Sequence, residues 1–111
     1  MSGMTWPVNL IAWCYSEAYQ HLGNANSSAG KHDRAIIAYM GAVQKVAGMP
    51  QSGLWEAQRA GLYCNLGNQY HKQRMGRQAG ECFDKAEALA RACGEHELLA
   101  RAREARKRAG A

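Results

Sequence analysis

Phenylalanine and threonine occur once each in the 111 residues, proline twice and isoleucine three times. Strands draw on β-branched and aromatic residues, so a chain this short of them and rich in Ala, Leu, Gln, Glu, Lys and Arg is predicted to be all-α. With 47% hydrophobic and 21% charged residues and no low-complexity tract, the composition excludes disorder. No apolar run approaches the ~20 residues of a membrane span, so no membrane partner is expected. Residues 1–111 hold one domain and leave no room for a second core. A chain of this size buries on the order of 65% of its unfolded surface, enough to fold without disulfide or metal staples.

Basic residues are missing before Lys31, and the N-terminal stretch lacks the small-residue cleavage pattern of a signal peptide. Cys14, Cys64, Cys82 and Cys93 are therefore expected as reduced thiols in the cytoplasm. No CxxC, HExxH or Gly-rich phosphate loop occurs, nor paired carboxylates or a Ser-His-Asp signature. Cys64 and His71 are seven residues apart, as are Cys14 and His21 on another face. Two helical turns separate such residues by about 10.5 Å, too far for one ion. The expectation is no catalysis, no cofactor and no metal.

Helix one is predicted from Pro7 in its first turn to Ser28, with Trp6, Leu10, Ile11, Cys14, Ala18 and Leu22 as its apolar stripe. Gly30 stops it, and Asp33 is positioned to cap helix two, whose stripe is Ala35, Ile36, Tyr39, Ala42, Val43 and Val46. Residues 48–53 are dense in turn formers. Helix three is predicted over 54–74, helix four over 77–92, and helix five over 95–108 behind Gly94, with Leu98, Leu99, Ala102 and Ala105 inward and the pairs Glu97–Arg101 and Glu104–Arg108 outward.

An internal repeat organises these helices. Leu22-Gly23-Asn24 returns as Leu66-Gly67-Asn68, 44 residues later, and the same offset carries Ala35 onto Ala79, Tyr39 onto Phe83 and Ala42 onto Ala86. Gly23 and Gly67 remove side chains where two antiparallel helices approach, with the alanines facing them. Tyr39 and Phe83 are expected to fill the wider gap between hairpins. A lone hairpin cannot bury its apolar face, so hairpins stack.

Residues Leu62 to Gln73, with Ala79, Phe83, Lys85 and Ala86, resemble the tetratricopeptide repeat, and the two Leu-Gly-Asn triplets with their long spacing are similar to that family's Leu-Gly-Asn subclass. The resemblance covers roughly residues 8–93. It implies a right-handed stack of hairpins, repeat one at about 8–48 and repeat two at about 54–93, with a capping helix at about 95–108. The copies are not identical: Asn26 stands where the second has Tyr70, and Arg74 stands where the first has Gly30.

The resemblance further implies a protein-interaction module, an adaptor or scaffold, holding a partner's peptide in a concave groove. One face of helix one carries Gln20, Asn24 and Ser27, and the corresponding face of helix three carries Cys64, Asn68, His71 and Lys72 with Asn65 at its edge. The resemblance gives Asn24 and Asn68 the partner's backbone to hold, a task suited to an amide that donates and accepts, and Lys72 can meet a carboxylate. Two repeats are fewer than such stacks normally need, which points to self-association through the apolar side of helix one.

Fourteen basic residues against nine acidic give +5, and residues 51–111 alone carry eleven against seven. Arg101, Arg103, Arg106, Lys107 and Arg108 form the densest run. A solvated helical face is the first reading of it; a nucleic-acid accessory protein is the competing class, and a small chaperone shielding one partner helix is a third.

Overall fold

The computed structural model describes the backbone of residues 2–110 and the side chains of residues 9–110. Five helices follow one another: α1 (Ser2–Ser28), α2 (His32–Val46), α3 (Gly53–Lys72), α4 (Gly76–Cys93) and α5 (His96–Ala109). No strand forms among the described residues. Each of α1 to α4 packs on its successor, and α5 lies against both α3 and α4. The chain is an all-α stack of two antiparallel hairpins closed by a fifth helix. No helix is long and apolar enough to cross a membrane.

Helix ends follow backbone chemistry more closely than capping side chains. Lys31 N–H reaches Asn26 O at 2.8 Å, Met75 N–H reaches Tyr70 O at 2.9 Å, and Glu95 N–H reaches Ala90 O at 3.0 Å. Each bond closes a helix C-terminus over a residue of positive φ, namely Gly30 at 76°, Arg74 at 60° and Gly94 at 71°. Asn26 and Tyr70, unlike as side chains, do the same work through their carbonyls. Arg74 holds the left-handed conformation that Gly30 takes in the first copy, at the steric cost a Cβ brings there.

Two expected helix starts are corrected. α1 begins at Ser2, which puts Pro7 in its second turn. α2 begins at His32 after Lys31, and no side chain caps it. Asp33 sits instead in its first turn, where a carboxylate favours the positive helix end, and accepts a hydrogen bond from Gln73 Nε2 at 2.7 Å.

The repeated glycines work by close approach. A Cβ on Gly23 would stand 2.6 Å from the ring of Tyr39, and one on Gly67 2.5 Å from the ring of Phe83. The two aromatics therefore lie directly on the glycines of their own hairpins, not in a gap between hairpins. Ala35 and Ala42 in one copy and Ala79 and Ala86 in the other are buried beside them.

The apolar stripe of helix one does not form its core contact. Leu10, Ile11 and Tyr15 are 53% exposed and Leu22 is 52% exposed, with Cys14 and Ala18 exposed between them. Trp6 lies outside the described side chains. The inward face is instead small: Ala12, Ser16 and Gly23 are buried, flanked by Trp13 and Tyr19. Seating Tyr39 on Gly23 fixes the rotation of α1, and that rotation turns the larger stripe outward. Trp13 meets Trp55 of α3 edge-to-face at 5.3 Å, joining the two hairpins.

Arg59 also departs from the apolar pattern. It is 7% exposed, and its guanidinium donates to Val46 O at 2.9 and 3.2 Å and to Met49 O at 2.5 Å, so one cation closes the carbonyl end of α2 and the turn after it.

Candidate functional site

The C-terminal turns of α1 and α3 end on the same side of the stack, and a cleft of about 580 Å³ opens there. Its walls are Asn24, Ser27 and Ser28 from α1, Tyr39 from α2, Asn65, Asn68, Gln69, His71 and Lys72 from α3, and Ala105 and Arg108 from α5. The volume is in the range of small-ligand and peptide side-chain pockets. Lys72 and Arg108 are cationic and, among the described residues, no carboxylate lines the cleft, so it favours anionic groups.

Of the residues the sequence brings forward, Asn24, Ser27, Asn65, Asn68, His71 and Lys72 meet in this cleft. Gln20 does not. It is half-buried on α1, one turn back from Asn24 and about 6 Å along the helix axis, where Gln58 Nε2 closes the seam to α3 by donating to Glu17 Oε1 at 3.0 Å and Ser16 Oγ at 3.2 Å. Cys64 is likewise not a groove residue. It is 1% exposed in the cluster that contains Ala102 and Ala105 of α5. Burial there pushes the thiol above its ordinary pKa, with the neighbouring Arg101 drawing it partly back. The fifth helix covers the part of the α3 face where the sequence places an open groove, which also removes the pairing of Cys64 with His71. Among the described residues no three His, Cys, Asp or Glu side chains gather into a metal-binding group.

The two triplet asparagines differ in their partners. The Tyr39 hydroxyl donates to Asn24 Oδ1, occupying the carbonyl of that amide and leaving its NH2 toward the cleft. Burial raises the Tyr39 pKa, which keeps this phenol a donor through the neutral range. Phe83 has no hydroxyl, and among the described residues no side chain bonds the amide of Asn68, so both its donor and its acceptor face the cleft. Asn65 is engaged: its Oδ1 accepts from Arg101 Nη2 at 2.9 Å.

A polar seam missed from sequence holds the cleft floor. Gln69 is 4% exposed and donates through Nε2 to Ser27 Oγ at 2.9 Å, while its Oε1 lies 2.7 Å from His32 Nδ1. One amide thereby ties α3 to the end of α1 and the start of α2. Periodicity gives no signal for Gln69. Tyr39 had one, because a ring seated on Gly23 puts its hydroxyl beside the next residue, Asn24.

The basic run divides into three parts. Arg101 reaches Asn65 and Arg108 lines the cleft. Arg106 turns to α4, where it pairs with Asp84 and lies 3.2 Å from Glu87, its pKa raised by the Asp84 hydrogen bond. Arg103 and Lys107 are exposed. The expected outward pairs Glu97–Arg101 and Glu104–Arg108 are not among the contacts of the described residues: α5 lies close enough to α3 for Arg101 to reach Asn65, and Arg108 lines the cleft. The run thus faces three directions and makes no continuous patch.

Comparison of the chain with known proteins finds no match to a family model, a curated protein or a solved structure.

Proposed function

We propose that the chain is a non-catalytic interaction module that holds an acidic peptide segment of a partner protein in the cleft between α1 and α3. The observation that carries this reading is the lining itself: among the described residues, an amide with no side-chain partner, Asn68, lies with two cations, Lys72 and Arg108, and no carboxylate joins them. Asn68 would hold the peptide backbone by donating and accepting, the NH2 of Asn24 would add a second donor, and Lys72 with Arg108 would take a carboxylate. The resemblance to Leu-Gly-Asn repeats supports the same role for the two asparagines. The four cysteines, which stand as free thiols, support a cytoplasmic setting.

Selection of a displayed random peptide library on the folded protein, followed by calorimetry with the enriched peptides, tests this. The expected result is enrichment of Asp- or Glu-containing peptides whose affinity falls about tenfold in each of Asn68→Ala and Lys72→Ala, the loss of roughly one charge-assisted or buried hydrogen bond. Enriched peptides indifferent to both substitutions would overturn the reading. So would a protein that binds only double-stranded DNA or RNA, with a steep salt dependence that Arg103→Ala and Lys107→Ala relieve.

A further inference from the structure

The 44-residue repeat provides an internal control for the open side of α1. Ile11, Tyr15, Ala18 and Leu22 correspond in register to Trp55, Arg59, Leu62 and Leu66 of α3. Those four are 7%, 7%, 0% and 3% exposed, in the contact with α2. In the first copy no helix among the described residues lies on the corresponding face, and Ile11, Tyr15 and Leu22 stay more than half exposed. Within one molecule, therefore, the same position is a core when a helix covers it and a large apolar surface when none does. Half-exposed side chains of this size contribute on the order of 100 Å² each, so Leu10, Ile11, Tyr15 and Leu22 together present about 400 Å², a patch of the size that marks interaction sites on monomers and about half of the ~800 Å² per partner of a standard interface, which fits a small, concentration-dependent dimer.

The pattern along the outermost ridge identifies what fits it. Leu10, Cys14, Ala18 and Leu22 follow at intervals of four, and all are exposed. Read in reverse the ridge is still large, small, small, large. An antiparallel copy superposes Leu10 on Leu22 of the partner subunit and Cys14 on Ala18 of the partner subunit. The two small residues let the helices cross closely, and the leucines interlock on either side, as ridges spaced by four do in helix packing. Charge permits the pairing as well. Glu17 is the one charged side chain in residues 1–30, and it is turned toward Gln58. The nearest cation at the rim is Lys45, 4.9 Å over the Tyr15 ring, on a stem long enough to swing to water. The outer side of α5 carries exposed Arg103 and Lys107, so it cannot serve as the covering surface.

We propose that the outer face of α1 is a homodimer interface, with α1 of a second copy packed antiparallel about a two-fold axis between Cys14 and Ala18. The interface lies away from the cleft, and neither requires the other.

Sedimentation equilibrium from about 1 μM to 500 μM tests it. The full chain is expected to move from 12.2 kDa to twice that mass, and Leu10→Glu with Leu22→Glu is expected to weaken association at least 100-fold while circular dichroism stays helical. Added salt should tighten the dimer slightly, because each copy carries +5. Alkylation of Cys14, the exposed cysteine, gives a readout that needs no substitution: its rate should fall as protein concentration rises. A chain that stays at 12.2 kDa throughout would overturn the proposal. So would a dimer unchanged by the double substitution, or a Cys14 rate independent of concentration, and heterologous capture through this face without self-association would assign it to another partner.

Discussion

The two hairpins are built on one register and differ where they meet the outside. In the first, Tyr39 seats on Gly23 and spends its hydroxyl on Asn24. In the second, Phe83 seats on Gly67 in the same way and, having no hydroxyl, gives Asn68 nothing to accept. The first hairpin turns at Gly30, the second at Arg74. The first exposes the outer face of its leading helix, whereas the second has that face covered by α2 and its inner face partly covered by α5. Packing requirements are shared between copies; the polar groups offered to a ligand are not.

Substitutions at the shared contact should give the largest effects. Gly67→Ala would place a Cβ 2.5 Å from Phe83 between helices confined on both sides, and should cost about 3 kcal/mol. Gly23→Ala makes the same clash at 2.6 Å, yet α1 has an open side into which it can move, so about 2 kcal/mol is expected. Urea denaturation of the two variants measures the difference, and equal costs would show that the open face gives no relief. Arg59→Met takes the guanidinium from the carbonyls of Val46 and Met49, of which Val46 keeps the Met49 N–H at 3.1 Å, and should cost about 2 kcal/mol, whereas Tyr15→Met at the corresponding place in the first copy should stay within about 0.5 kcal/mol.

Turn exchange sharpens the comparison at smaller scale. Arg74→Gly relieves a non-glycine φ of 60° and should raise stability by about 0.5–1 kcal/mol, while Gly30→Ala should lower it by about 1 kcal/mol. Thermal melts of the pair check both signs. The last effect is absent at neutral pH and appears only in alkali. Burial pushes the Cys82 thiol up to about 11, so between the ordinary thiol range and that value the unfolded chain releases a proton that the folded chain retains. Stability is full below pH ~8.5 and declines as pH rises from there toward 11. Cys82→Ala should flatten that part of the stability curve.

Much of the fold was legible because glycine, alanine and turn positions recur at one offset, and each has a strict steric reason to do so. Gly23, Gly67, Gly30 and Gly94 placed the hairpins and their ends. The rotation of α1 was not legible: two stripes compete for its core, and the larger one, Leu10 to Leu22, lost because Gly23 must face Tyr39. Nor could Arg59 or Gln69 be read as buried, since their burial depends on carbonyl and hydroxyl partners 10 to 42 residues away in sequence. Six of the eight candidate groove residues meet in the cleft. Cys64 fell outside it because α5 docks through Ala102 and Ala105 onto the α3 face that carries it; the sequence marks those alanines as inward but not the surface they meet.

The asymmetry between Asn24 and Asn68 offers the most direct test of the cleft as a peptide site. Calorimetric titration of one selected acidic peptide into Asn24→Ala and Asn68→Ala, side by side with the parent chain, would measure it. The expected result is a loss of about tenfold for Asn68→Ala and about threefold for Asn24→Ala, whose carbonyl already serves Tyr39. Unchanged affinity in both variants, or a larger loss at Asn24, would contradict the account.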